Sequence, residues 1–375
     1  MIQNKNIRIV IVGCGFGGLT LSKKLNKLNV EVLLIDKNNY HTFQPLLYQV
    51  ATGGLEAENI VYPLRKIFRK YKNVFFRMAE VLSVNESEKT VRTNIGDISY
   101  DYLVLAIGST NNFFNFEQVK DKILPLKSLT DAFNLRSSIM HNLECSLIIE
   151  NIQDQEEIIN IAIIGGGPTD LELAGAIAEM KKYVLPLDFP ELDLSRMHLY
   201  LFEASSRLLN VMSENASEHG LRYLENLGFS VKISTLVKSY DGRQHILENG
   251  ETFRTDTVIW TAGVKAAKID GLGQDNYLPN GRLQIDTHNN LINNRNIFAI
   301  GDVAACISDD HPNGLPMLAP VAIQQAKQLA INFKLLLVEK SLIPFLYKNK
   351  GVMATIGRKR AVVDFPKWKF QGWFA

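Results

Sequence analysis

Cysteine is scarce in this chain, and what there is cannot act in pairs: Cys14, Cys145 and Cys306 are widely separated among 375 residues. That spacing excludes a CxxC redox disulfide and a cysteine-based zinc site, so no metal is expected. Runs of 18 or more apolar residues are missing, which leaves no candidate for a membrane-spanning helix. An apolar leader with a cleavage signal is missing too. The expectation is therefore a protein kept in the cytoplasm or on the cytoplasmic face of the membrane. Charge of one sign is also lacking, since 41 Lys and Arg against 39 Asp and Glu give a net +2 and no reason to expect a nucleic-acid partner.

What is present is an ordinary globular composition, 46% hydrophobic and 21% charged, long enough for two or three domains. Its most informative segment is RIVIVGCGFGG, where the apolar run Ile7 to Val12 predicts a buried strand and Gly13, Gly15 and Gly18 fill a GxGxxG pattern at a helix start. Gly13 permits a tight turn, Gly15 lets backbone N–H groups approach a pyrophosphate, and Gly18 lets helix and strand pack closely. Cys14, inside the turn, reads as a small residue that fits. A second apolar run, VEVLLID, ends in Asp36, where a carboxylate can accept both hydroxyls of an adenosine ribose.

The layout recurs. INIAIIGGGPTDLELAG places Gly165 and Gly167 in a second turn, 152 positions after the first, and the run HLYLFEAS ends in Glu203. An acidic residue there favours NADH over NADPH, whose 2′-phosphate it repels, although Arg207 stands near enough in sequence to weaken that preference. DYLVLAIGS (Asp101 to Ser109) and DTVIWTAGV (Asp256 to Val264) repeat as well, offset by 155 residues between Gly108 and Gly263. Three signals in one order imply an internally duplicated dinucleotide-binding unit, with two nucleotides held face to face. NRNIFAIGDVAA adds a later strand, Ile297 to Ile300, with Asp302 at its end, suited to a flavin's ribityl or phosphate side or to capping a helix that points at the ring.

On these residues the chain resembles the type II NADH dehydrogenases, the single-subunit, non-pumping NADH:quinone oxidoreductases of the two-dinucleotide-binding-domain flavoproteins. The resemblance runs through HTFQPLLYQVATGGLEAENIVYPLR, GGGPTDLELAGAIAEM, TDTVIWTAGV, FAIGDVA, LAPVAIQQAKQLA and KGVMATIGRKRAVVDF, with FQPLLYQVATG and MATIGR the most specific. It implies an α/β fold with two Rossmann-like domains of three-layer ββα type and a short, truncated C-terminal region. FAD would be held by Gly13, Gly15, Gly18, Asp36, Lys37, Gly108 and Asp302, and NADH by Gly165, Gly167, Glu172, Glu203 and Gly263. The family's quinone motif AQxAxQQ corresponds to Ala319 through Gln325, so Gln324 matches its second glutamine and Ala322 lies beside the flavin, while Pro320 replaces its first glutamine. Independently, Pro320 can start a helix, and AIQQAKQLAINFKLLL has helical periodicity.

The implied domains are a discontinuous FAD domain (1–112 and 272–335), an NADH domain (113–271) and a remnant of the membrane-associated region (336–375). The C-terminal stretch from Phe345 carries seven Lys or Arg against Asp364, together with Trp368, Phe370, Trp373 and Phe374, a mixture suited to an anionic membrane surface. Family members continue into an amphipathic region that shapes the quinone tunnel, so quinone reduction and docking are the functions put at risk. Glu172 is the candidate to accept the carboxamide N–H of the nicotinamide or to lie on the proton route to the quinone. Asp170 departs from the fingerprint, occupying the place of its third glycine. Its carboxylate is expected to repel the pyrophosphate by about 1 to 3 kcal/mol and to weaken NADH binding. Two alternatives stand beside the main reading: a soluble NADH-dependent flavoprotein reductase with another acceptor, and a non-catalytic FAD-binding remnant. A homodimer stays open.

Overall fold

The apolar run after the N-terminus does form a strand, Arg8–Val12, and it lies inside a six-stranded sheet. Residues 7–372 are described in this computed structural model; Trp373 and Phe374 lie outside the described residues. The chain forms two compact units, one of residues 1–42, 61–110 and 265–348, the other of 43–60, 111–264 and 349–375.

In the first unit Arg8–Val12 pairs in parallel with Glu31–Asp36 on one side and Tyr102–Leu105 on the other. Val74–Met78 extends the sheet beyond Glu31–Asp36, and Asn294–Ala299 joins the free side of Tyr102–Leu105. Successive side chains point to opposite faces, and both faces are buried. Ile9, Ile11, Val32 and Leu34 meet Leu21 and Leu25 of helix Phe16–Leu25 and Ala326, Leu329 and Phe333 of helix Ala319–Leu336. Val10, Val12, Leu33 and Ile35 pack with Val84 and Val91 from an antiparallel sheet of strands Val81–Asn85, Thr90–Thr93 and Gly96–Ser99. Helices, parallel sheet and antiparallel sheet thus make three layers, as expected. Helix Ala319–Leu336 has Pro320 in its first turn and buries Ala322, Ala326, Leu329 and Phe333 at helical spacing.

The second unit repeats the plan with a five-stranded parallel sheet built around Ile161–Ile164, Leu199–Phe202 and Thr257–Trp260. Helices Leu129–Ser146, Pro168–Tyr183 and Glu214–Asn226 belong to it. The first of these starts on a reciprocal cap: Ser128 Oγ accepts from Asp131 N at 3.1 Å and Asp131 Oδ2 from Ser128 N at 2.8 Å. An antiparallel sheet of Val237–Tyr240, Gln244–Leu247 and Thr252–Arg254 supplies the third layer. The C-terminal stretch expected as a membrane-region remnant is built here as a three-stranded antiparallel sheet, Val352–Thr355, Ala361–Asp364 and Lys369–Gly372. No helix among the described residues is long and apolar enough to cross a membrane.

His245 is the odd member of the second unit's core. Its ring is stacked between Tyr240 and Phe253, at 4.3 and 4.2 Å, and neither ring nitrogen has a hydrogen-bond partner. Burial holds the imidazole's pKa down to about 3. Below pH 6.5 the unfolded chain takes up a proton that the folded chain refuses, so stability falls as pH drops from there toward 3. His245→Phe should therefore stabilise the unit by about 2 kcal/mol more at pH 5 than at pH 8, measured by urea denaturation at the two pH values. An equal gain at both would show that the ring is not held neutral.

Candidate functional site

Two glycine turns, one in each unit, carry Gly13, Gly15 and Gly18, and Gly165 and Gly167. In the first, Gly13 has φ +96°, and a Cβ on Gly18 would overlap the Gly13 carbonyl oxygen. Only two glycines allow helix Phe16–Leu25 to start this close to the strand. Gly15, by contrast, faces open space, with nothing within 4 Å of an added Cβ. The helix start has no side-chain cap and no acid in its first turn, so its N–H groups point outward with the positive end of the helix dipole. Gly108 is equally open, with φ +72°. A cradle of this kind fits the pyrophosphate of a dinucleotide.

At the end of Glu31–Asp36, Asp36 accepts from Cys14 N at 2.6 Å through Oδ2 and from Asn38 N at 2.8 Å through Oδ1. Those bonds orient the carboxylate and leave lone pairs for a ribose. Burial raises its pKa, against the lowering effect of those N–H groups and of Lys37, which is exposed beside it. His41, which the sequence reading passed over, makes a 2.8 Å bond through Nδ1 to the Cys14 carbonyl and meets Phe16 edge-on. Cys14 itself is buried and its thiol pKa is driven up by that burial, as suits a packing residue.

The segment after Asn294–Ala299 corrects one expectation. Gly301–Val303 is a single 3-10 turn, too short to be the capped helix anticipated at Asp302. Asp302 is oriented instead by Ser109, whose Oγ donates to Oδ2 at 2.5 Å. Its loop is pinned by the buried Arg282, which donates from Nε to the Asp302 carbonyl and from NH1 to the Leu315 carbonyl. Ala322 is buried against Gly301, and the neighbouring buried glutamine is Gln325, whose Oε1 accepts from Gly301 N at 2.7 Å. Gln324 is engaged elsewhere, exchanging two hydrogen bonds with the backbone of Lys348.

In the second unit Gly165 has φ +138°, Gly167 is the N-cap of helix Pro168–Tyr183, and the middle glycine is needed as well. A Cβ on Gly166 would come within 2.7 Å of Glu203 Oε2. The GGG run was the signal for it. Glu203 accepts from Ser205 N at 2.6 Å, two residues on, as Asp36 does from Asn38. Arg207 is drawn off by the carbonyls of Asn210 and Met212, each at 3.0 Å. Gly263 lies against the Phe114 ring, and its carbonyl accepts from Asn112 N.

Asp170 folds back rather than forward. Its Oδ2 accepts from Gly167 N at 2.6 Å, and the carboxyl is packed against Gly165. Burial, partly offset by the Thr261 hydroxyl and the Gly167 N–H, raises its pKa to about 7.

Glu172, on the same helix, is raised to about 7 by burial, against a hydrogen bond from the backbone of Thr355. Thr355 Oγ1 lies 3.2 Å from Tyr48 Oη, which accepts from Gln49 Nε2 at 3.0 Å. FQPLLYQVATG thus meets MATIGR, and it is Thr355 of the latter that reaches the Glu172 carboxyl. The C-terminal sheet reaches it because Gly175 has no Cβ; one would overlap the Gly357 backbone nitrogen. Glu179 secures the same turn, accepting from Arg358 N at 2.6 Å. Cys14, Cys145 and Cys306 are free thiols, and no acid, histidine and cysteine cluster able to hold a metal occurs among the described residues.

Comparison with known proteins agrees with this layout. The family model for the pyridine nucleotide-disulphide oxidoreductases matches residues 7–326. The type II NADH:quinone oxidoreductase Ndh of Mycobacterium tuberculosis is 30% identical over 383 residues, covering 98% of this chain and 81% of that protein. The type II NADH:quinone oxidoreductase of Staphylococcus aureus strain NCTC 8325 is 29% identical, over 95% of this chain and 89% of its own. Among solved structures, NDH2 of Plasmodium falciparum in complex with NADH superposes with a TM-score of 0.90 at 20% identity, covering 98% and 92% of the two chains. That likeness is one of fold.

Gly175→Ala should destabilise the second unit by about 1 to 3 kcal/mol, as overpacking does. Limited trypsin digestion should then cleave faster at Arg358, Lys359 or Arg360. Unchanged stability and cleavage would show that the helix and the C-terminal turn do not need their close approach.

Proposed function

Because the chain belongs to the pyridine nucleotide-disulphide oxidoreductase family, and within it to the type II NADH:quinone oxidoreductases, we propose that it transfers a hydride from NADH to FAD and passes two electrons to a membrane quinone without pumping protons. The observation that carries this reading is the recurrence in each unit of a glycine turn that leads into a helix start, with an oriented acid at the end of the neighbouring strand.

FAD, when bound, supplies a two-electron carrier that can accept a hydride and release its electrons to a second acceptor. In the first unit Gly13, Gly15 and Gly18 shape the cradle for its pyrophosphate, Asp36 takes the ribose hydroxyls beside Lys37, and Gly108, Asp302 and Ala322 border the rest of the group. In the second, Gly165 and Gly167 receive the NADH pyrophosphate, Glu203 its ribose hydroxyls, and Gly263 closes the far side. Arg207 is spent on two carbonyls, which supports NADH over NADPH because a 2′-phosphate would meet Glu203 without a compensating cation from that residue. These assignments give FAD to 1–112 and 272–335 and NADH to 113–271.

Glu172 is poised for proton work. A carboxyl with a pKa of about 7 is part protonated near neutral pH, so it can accept from the nicotinamide carboxamide when charged and hand on a proton when neutral. Gln324 is the second residue assigned to the quinone side. A quinone lives in the bilayer, and the C-terminal stretch offers exposed Trp368, Lys367 and Lys369 for an anionic surface, which supports a peripheral position on the cytoplasmic face.

The test is anaerobic mixing of the FAD-loaded protein with NADH, followed by flavin absorbance, and then addition of a short-chain quinone. Rapid bleaching and quinone-dependent recovery are expected. Bleaching that only a soluble dye reverses would favour a reductase with another acceptor, and no bleaching would favour a non-catalytic remnant. Asp36→Ala should purify with less FAD, and Glu203→Gln should raise the NADH KM by roughly tenfold, the worth of one charged hydrogen bond.

A further inference from the structure

Asp170 gives the second glycine turn a property that the first lacks. Its carboxyl is 97% buried, by its 3% exposure, and sits within the opening turn of helix Pro168–Tyr183. One oxygen, Oδ2, accepts from the Gly167 N–H, and the other hydrogen-bonding neighbour of the buried carboxyl is the uncharged Thr261 hydroxyl. The charged groups that bear on it are both acids, Glu203 from the end of strand Leu199–Phe202 and Glu172 from its own helix. Arg207, the nearby cation in sequence, is turned to the carbonyls of Asn210 and Met212. The first turn has Gly18 in the corresponding place and carries no such group.

We propose, resting on the reading of the second unit as the NADH site, that Asp170 couples dinucleotide binding to proton uptake, so that the nucleotide binds the neutral carboxyl and is disfavoured by the charged one. A pyrophosphate on this helix start would bring two negative charges to the group that already occupies its N-cap N–H. Both anions would draw on one helix dipole, away from water, where their repulsion is least screened. The relief is local: a proton from solvent forms an O–H bond at Oδ1, and the nucleotide itself is unchanged. When the nucleotide leaves, the proton returns to solvent. Because the carboxyl titrates at about 7 before the ligand arrives, the coupling falls in the neutral range.

ADP-ribose is the probe, since it carries the adenosine and pyrophosphate without the redox-active ring. Its binding to the FAD-loaded protein is measured calorimetrically at pH 6, 7 and 8, in buffer pairs of different ionisation enthalpy. The expected result is net proton uptake at pH 7 and 8, with affinity falling roughly tenfold between pH 6 and pH 8. Asp170→Asn keeps an acceptor for the Gly167 N–H and should abolish both effects; Asp170→Gly, which restores the fingerprint, should do the same if the asparagine variant folds poorly. Affinity independent of pH in the unaltered protein, or uptake that survives in Asp170→Asn, would each overturn the proposal while leaving the NADH site intact. Absence of any binding by ADP-ribose or NADH at all three pH values would overturn the NADH site itself, and this inference with it.

Discussion

The contact between Gly18 and the Gly13 carbonyl sets how near the first helix stands to its strand, and the rest of the first site follows from that distance. With a Cβ in the way the helix would have to retreat, and its free N–H groups would no longer converge on the open space in front of Gly15. The strand contributes its own share: it is flanked on both sides by parallel partners and buried on both faces, so the turn that follows it has little freedom to drift. The acid at the end of the neighbouring strand is then placed by register, because Val12 lies opposite Ile35 and Asp36 comes next.

Much of this was legible because it is written locally. Glycine spacing, apolar runs of four to six residues and a strand-end acid all fall within a short stretch of chain, from the turn at Gly13 to Asp36 in the first unit and from Gly165 to Glu203 in the second. Helix Ala319–Leu336 was legible for the same reason, from Pro320 and the apolar spacing behind it. Less could be read where a contact spans the chain. Glu172 meets Thr355, and Gly175 meets Gly357, each across some 180 residues; no local pattern announces such a partner. The C-terminal basic and aromatic residues drew attention to charge and away from the short apolar runs Val352–Thr355 and Ala361–Asp364, which pair as a hairpin around GRKR. The burial of Gln325 rather than Gln324 depends on helix rotation, which adjacent identical residues cannot reveal.

Asp170 shows how one substitution changes the economy of a shared motif. Sequence reasoning set its carboxylate against a pyrophosphate at the turn. Instead it folds back and accepts from the N–H of Gly167. A single buried acid therefore acts as a structural cap at a place where the first turn has none.

The sheet of the first unit also has a consequence for biosynthesis. Leu103 pairs with Ile297, so one side of strand Tyr102–Leu105 stays open until nearly two hundred further residues have left the ribosome, roughly 10 to 40 s at ordinary rates of translation. In that interval the intervening segment, with its own complete five-stranded sheet, can finish folding first. The nascent chain meanwhile exposes an apolar strand edge of the kind that chaperones cover and that other chains can join. The order in which the ribosome delivers these strands thus lets the five-stranded sheet be completed before the six-stranded one.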